Sequence, residues 1–208
     1  MASAERAAVL PLAAAEAADW AALWPRPSPA LALMVTVTVV EPMHVLSLRH
    51  VAGAGTAALA AALTAEPTAD RLPGLPQPGQ CCGAEPRLVW CRPDETLLLT
   101  QDRALAAALL AALHPAPGRL ACALDLSPGN LVLQLRGAQV EALLSRLVDA
   151  QALPREAGQA SRMRLADIAA VVWRDAPDAA GLLVDRAHGH YLAHWLSYAA
   201  GAIGDTAR

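Results

Sequence analysis

Lysine and phenylalanine are absent from the 208 residues, aromatic residues make up only 3%, and charged residues only 17%. With no lysine, all sixteen basic residues are arginine, and the formal net charge is −3. That balance argues against a nucleic-acid-binding protein, which displaces counterions from phosphates with an excess of positive charge, and no basic face stands out along the chain. The four cysteines form no CxxC pair, and Cys81 and Cys82 are neighbours poorly placed for a disulfide. A zinc knuckle and a disulfide framework are therefore not expected, and the cysteines read as reduced thiols of a cytoplasmic protein. The uncharged, Ala-rich stretches Val51 to Ala65 and Ala104 to Leu113 fall short of the ~20 apolar residues of a membrane span. The apolar run Ala7 to Ala15 is preceded by Glu5, broken by Pro11 and closed by Glu16, which makes a poor signal peptide.

What is present is a foldable composition. Apolar residues reach 55%, and alanine supplies about a quarter of the chain, so the core is built from small side chains rather than rings. Val35 to Val39 alternates valine with threonine, predicting a half-buried strand within Leu31 to Val40. Val45, Leu46 and Leu48 open a second strand, and Ala57 to Leu63 carries helical spacing. From Glu66 to Pro86, five prolines and three glycines predict a loop. Arg87 to Cys91 and Thr96 to Thr100 form a hairpin about Arg92-Pro93-Asp94, followed by a helix from Arg103 to His114 that Asp102 caps.

After Pro115-Ala116-Pro117-Gly118 the same order returns. Strands Leu120 to Leu126 and Leu131 to Leu135 flank a Ser127-Pro128-Gly129-Asn130 turn, and a helix spans Ala138 to Val148. Leu153 to Gln159 is a loop. Strands Ile168 to Trp173 and Gly181 to Val184 follow, joined by Asp175-Ala176-Pro177-Asp178, and a helix capped by Asp185 runs from Arg186 to about Ala200. Residue phrases repeat with a period of roughly 84. Pro42 answers Pro128, Trp90 answers Trp173, and Pro93-Asp94 answers Pro177-Asp178. Leu98-Leu99 answers Leu182-Leu183, and Asp102-Arg103-Ala104 answers Asp185-Arg186-Ala187. The expected fold is α+β, with duplicated β-β-α-β-β-α halves whose antiparallel sheets pack against helices. In domain terms, 1–30 is an N-terminal helical segment, 31–203 a single domain of two repeats (31–118 and 119–203), and 204–208 a tail.

Chemistry-bearing motifs are few. Gly53-Ala54-Gly55-Thr56-Ala57-Ala58 has the GxGxxA spacing of a dinucleotide loop, but Arg49 and His50 make the preceding strand half exposed, and a Pro-rich loop follows where a βαβ unit needs a strand. A tight turn with close helix packing explains the glycines. His190 and His194 stand four apart on the last helix, yet no third ligand accompanies them. No GxSxG, phosphate loop or carboxylate pair is present. Asp125 ends a strand, where a carboxylate serves either as a turn acceptor or as a clamp on a ligand, and Asp94, in the hairpin turn, is the second carboxylate of interest. Tyr191, Trp195 and Tyr198 lie at helical spacing and are either core or the anchors of an interface.

Three phrases carry a family resemblance: Leu88-Val89-Trp90-Cys91-Arg92-Pro93-Asp94-Glu95 with Leu97-Leu98-Leu99; Leu124-Asp125-Leu126-Ser127 with Leu131-Val132-Leu133; and Asp175-Ala176-Pro177 with Leu182-Leu183-Val184 and Tyr191-Leu192 to Trp195-Leu196. Together they resemble the gamma subunit of heterotetrameric sarcosine oxidase, a relative of the folate-binding fold of the glycine-cleavage aminomethyltransferase. The resemblance covers about Leu31 to Ala200. It implies a non-catalytic accessory subunit that binds no cofactor itself and packs against alpha and beta flavoprotein subunits and a small delta subunit. The parent complex would carry FAD, FMN and NAD and oxidise sarcosine or a similar N-methyl amine, with tetrahydrofolate as one-carbon acceptor. The alternative is a stand-alone tetrahydrofolate-binding or one-carbon transfer protein, in which Asp125 or Asp94 faces the folate pocket. In the first reading Tyr191, Trp195 and Tyr198 are the partner surface.

Overall fold

The computed structural model describes residues 24–41, 43–65, 71–148 and 151–206. The expected N-terminal segment before Trp24 and the turn proline Pro42 lie outside these residues, as do 66–70 of the expected loop, 149–150 and the end of the tail. The first described helix, α1 (Pro29–Met34), occupies the start of what the alternating pattern predicted as strand. Ser28 caps it, its Oγ accepting from Leu31 N at 3.2 Å, and Pro29 supplies a preset φ at the first turn. These two start signals confine the strand β1 to Thr36–Val39.

Nine further strands and four helices follow among the described residues. They run β2 (His44–His50), α2 (Ala54–Leu63), β3 (Gln80–Cys82), β4 (Arg87–Arg92), β5 (Glu95–Thr100) and α3 (Arg103–Ala112). The second half has β6 (Ala121–Asp125), β7 (Asn130–Arg136), α4 (Val140–Ser145), β8 (Ala160–Leu165), β9 (Ile168–Ala176), β10 (Ala179–Asp185) and α5 (Gly189–Thr206). Each half thus has a strand that the β-β-α-β-β-α reading lacks. β3 is three residues long inside the Pro-rich loop, and β8 alternates Arg162 and Arg164 with buried Met163 and Leu165, so its buried side chains face the helices and its arginines face the side of the other sheet.

The two five-stranded antiparallel sheets have one strand order. One runs β1-β7-β10-β9-β8, and the other, read in the matching direction, runs β6-β2-β5-β4-β3. Each half therefore gives its first strand to the edge of the other half's sheet. Matching hydrogen bonds repeat across the halves: Val40 N donates to Val132 O at 2.9 Å and Leu126 N to Val45 O at 2.8 Å. His50 N donates to Asp94 O at 3.1 Å, as Gly137 N does to Asp178 O at 2.8 Å. The opposite edges, β3 and β8, are stitched by Cys81 N to Gly158 O at 2.7 Å and Ala160 N to Gly79 O at 2.8 Å. These bonds join the two sheet edges at one point.

Register corrects one equivalence. Gly79 N donates to Trp90 O and Gly158 N to Arg174 O, so Trp90 corresponds to Arg174 rather than to Trp173. The cross-strand pairs agree: Leu97 opposes Val89, whereas Gly181, its counterpart, opposes Trp173. A one-residue slip flips a side chain to the other face of a strand. Trp173 faces the space between the sheets, where Val45, Val89, Leu99, Val171 and Leu183 pack, while Trp90 stacks edge-on against His50. Helices cover the outer faces, α2 and α3 over one sheet and α1, α4 and α5 over the other. No helix among the described residues is long and apolar enough to cross a membrane.

Candidate functional site

Two surface features are built from residues of chemical interest. The first is α5. Asp185 Oδ1 accepts from Ala187 N at 2.8 Å and starts a 3-10 turn, Arg186–His188, that runs into the helix. Leu192, Ala193, Leu196, Ala199 and Ala200 turn into the core. Tyr191, His194, Trp195 and Tyr198 form the i, i+3, i+4, i+7 stripe on another side. Tyr191 is 39% and Tyr198 65% exposed, and Trp195 is half-buried between them. The rings touch in sequence, Tyr191 to Trp195 at 6.2 Å and Trp195 to Tyr198 at 5.5 Å in a T-shaped pair. The three predicted aromatics are therefore brought together at the surface rather than in the core. His190 and His194 are exposed, and among the described residues no three His, Cys, Asp or Glu side chains converge on a metal position.

The second feature lies at the β4–β5 turn. Glu95 is buried, its side chain 6% exposed. Ser47 Oγ donates to its Oε1 at 2.5 Å, Arg49 Nη1 lies 3.5 Å from the same oxygen, and Arg92 Nη1 and Arg162 Nη1 lie 3.8 and 3.4 Å from Oε2. Arg162 comes from β8 of the other half, so the carboxylate ties the two sheets together. A carboxylate with this many charge-assisted partners is the normal way to bury a charge. Asp94, next in the turn, is paired with Arg49 and, at 3.5 Å, with Arg92 Nε. It lines an open cavity of about 490 Å³ with Arg49, His50, Val51, Arg119 and Leu120.

Asp125 lies elsewhere. On β2, Asp94 is bonded at His50 whereas Asp125 is opposite Leu46, four residues along the strand. Its Oδ1 accepts from Ser127 N at 2.9 Å and Ser127 Oγ at 2.5 Å, and Ser127 Oγ in turn accepts from Val45 N. Asp125 thus holds the turn into β7, and the fold does not bring it and Asp94 to one place.

Gly53 and Gly55 occupy a turn between antiparallel neighbours, because β2 pairs with β5 and β6, both antiparallel. Gly53 has φ 78°, and Leu120 O occupies the place a Cβ on Gly55 would take. That is the close backbone approach of a tight turn, not a parallel-sheet nucleotide loop. The strand before it is less exposed than its charged residues suggested. His50 is buried, with Nδ1 3.3 Å from Thr56 Oγ1 and Nε2 3.4 Å from Thr96 Oγ1. Burial lowers its pKa, opposed by Asp94 and aided by Arg49. The thiols of Cys81 and Cys82 are pushed up by burial, and that of Cys91 to about 11 for the same reason, so none is a thiolate nucleophile at neutral pH.

Sequence reading did not single out Glu95, Arg162 or Arg174. The available signal for Glu95 was an acid opening a run of leucines, the position of a buried charge needing partners. Arg174 is 1% exposed, donates from Nη2 to Glu141 Oε2 at 3.1 Å, and leaves Nε and Nη1 without a partner among the described residues.

These features define a class: a duplicated α+β chain with paired antiparallel sheets, carrying an exposed aromatic helix face and an arginine-carboxylate cluster that locks its halves. The comparisons agree on the fold. No family model matches the chain. The gamma subunit of sarcosine oxidase from Corynebacterium sp. (strain U-96) is 34% identical over 169 residues, which cover 78% of this chain and 77% of that one. The solved heterotetrameric sarcosine oxidase from Corynebacterium sp. U-96, in complex with pyrrole 2-carboxylate, contains a chain that superposes with a TM-score of 0.67 at 32% identity, over 81% of this chain and 84% of that one. The glycine cleavage system aminomethyltransferase T from Bartonella henselae shares the fold, with a TM-score of 0.55 at 15% identity over 83% of this chain and 50% of that one. The chain belongs to the sarcosine oxidase gamma subunit family.

Proposed function

We propose that this chain is a non-catalytic accessory subunit of a sarcosine oxidase-type flavoenzyme complex in the cytoplasm. It docks through the Tyr191, Trp195 and Tyr198 face of α5 onto alpha and beta flavoprotein subunits, with a small delta subunit completing the assembly. FAD, FMN and NAD are held by the other subunits, which carry out the oxidative demethylation of sarcosine or a similar N-methyl amine, with tetrahydrofolate as the one-carbon acceptor.

The observation that carries this reading is the aromatic stripe itself. Three of the few rings in the chain sit in mutual contact on a helix whose opposite side is core, with two of them exposed. Exposed aromatics in a cluster are the usual anchors of a protein interface. The stand-alone folate-binding reading needs a carboxylate free to meet a ligand. Asp94 is engaged by two arginines and Asp125 by Ser127, so the residues present do not fit folate recognition as they stand.

Co-expression with the flavoprotein subunits tests the proposal. The wild-type chain should co-purify with flavin-containing partners, and Trp195→Ala with Tyr198→Ala should reduce the recovered complex about tenfold or more. Recovery of no flavoprotein under mild conditions would overturn it, as would an unchanged complex with the double variant. Calorimetric heat on adding tetrahydrofolate to the isolated chain would favour the alternative.

A further inference from the structure

Arginines that are scattered in the sequence gather at one end of the fold. Arg119 and Arg49 line the same cavity, Arg49 and Arg92 both reach Asp94, and Arg92 and Arg162 both reach Glu95. Four guanidinium groups so linked meet two carboxylates, which leaves a local positive excess on a chain whose net charge is −3. Arg49, Arg92 and Arg162 are each 35 to 43% exposed, so the band faces solvent. Arg119 is exposed and bonds only a backbone oxygen, Ala112 O at 2.8 Å, with no carboxylate partner among the described residues. Beside it, Val51 and Leu120 stand 58 and 45% exposed on the cavity wall.

An uncompensated cation next to exposed aliphatic side chains has a specific complement: a chain segment that presents a carboxylate beside an apolar side chain. The cavity is open and its aliphatic walls are half in water, a shape suited to a protein segment rather than to an enclosed small ligand. A nucleic acid fits worse, because Asp94 lies within the band and would face the phosphates.

We propose that this arginine band and cavity form a second docking surface, distinct from α5, that receives an acidic segment of a partner subunit. The inference rests on the accessory-subunit reading. It adds that the chain bridges its partners by two unlike contacts, one aromatic and one electrostatic. Arg49, Arg92 and Arg162 serve both the lock between the halves and the surface, whereas Arg119 serves the surface alone.

Arg119 is therefore the probe. The co-expressed complex is washed through increasing sodium chloride, and the release of this chain is followed by size-exclusion chromatography. Arg119→Glu should release at clearly lower salt than wild type and slow association about tenfold at low ionic strength, with the difference vanishing at high salt. Arg119→Ala should fall between the two. Tyr198→Ala should weaken the complex with little change in its salt dependence. Wild-type salt stability in Arg119→Glu would overturn the proposal while leaving the accessory reading intact, whereas failure of the wild-type complex to form would overturn both. Tight binding of the isolated chain to a DNA duplex, lost in Arg119→Glu, would also overturn it by marking the band as a general polyanion site.

Discussion

Gly181 shows how much a single position depends on its cross-strand partner. It lies opposite Trp173, and the indole fills the space a Cβ on residue 181 would need. Trp173 is itself buried between the sheets and carries the Arg87 guanidinium 5.7 Å from its ring centre. Gly181→Ala must displace a packed ring, so it should cost about 1–3 kcal/mol in chemical denaturation with the fold retained. Gly74, a loop position where a Cβ meets open space, offers a control expected to be near neutral, whereas Gly201, inside α5 and equally open, should gain up to about 1 kcal/mol as alanine. His50 gives a second test at this scale. Its pKa lies below the ordinary 6.5 because burial penalises the cation, so the unfolded chain takes up a proton before the folded one does. Stability should be fully retained above about pH 6.5 and fall as the pH drops towards the lowered folded value. His50→Gln should flatten the fall in melting temperature between pH 7 and 5; an unchanged slope would remove His50 as its cause. Neither effect was legible in the sequence, where Gly181 is one small residue in a strand and His50 a polar residue on an apparently half-exposed one. Composition cannot reveal that Thr56, Thr96 and Trp90 surround that ring.

Helices and hairpins were far more legible than edge strands. Asp102 announces α3 and Asp185 the turn into α5, because a carboxylate at an N-cap satisfies amide donors that have no partner in the helix. The fold bears this out, with Asp102 Oδ1 accepting from Ala104 N at 2.9 Å and Leu105 N at 3.0 Å. Asp102→Ala should therefore lower stability by about 1 kcal/mol, and Asp102→Asn, which keeps an acceptor, by less. Thermal denaturation of the pair separates loss of the cap from loss of the Arg71 ion pair, which both variants break. The hidden strands have a different physics. β3 is too short to show a period, and β8 puts arginines on the face that turns toward the other sheet, where a sequence pattern expects apolar residues. Both are held by the edge-to-edge bonds at Gly79 and Gly158, contacts about eighty residues apart that no local window contains. The aromatic stripe of α5 was visible as a spacing, but whether it faced core or solvent depended on where α1 and the sheet pack.

At the scale of the whole molecule, the exchange of β1 and β6 makes the two repeats one cooperative object. A chain that ended near Gly118 would keep β2, β5, β4 and β3 but lose β6, and its β1 would have no β7 to pair with. It would also lose Arg162, one of the three cations around buried Glu95, and leave the inter-sheet faces of Val45, Val89 and Leu99 uncovered. Removing one partner of a buried charge costs up to about 3–5 kcal/mol, and the uncovered sheet face adds to it, which together use up a domain margin of about 5–15 kcal/mol. The repeat itself was legible from its phrases, but the exchange was not, since strand order is fixed by pairings between distant residues. The expected outcome is that residues 24–118 and 119–206, expressed separately, show no cooperative thermal transition. Expressed together as two chains, they should associate and recover the circular dichroism spectrum of the intact protein, because every pairing that closes the sheets is then available again. A cooperative transition in the isolated 24–118 fragment would mean that the first sheet is self-sufficient and that the exchanged strands contribute little.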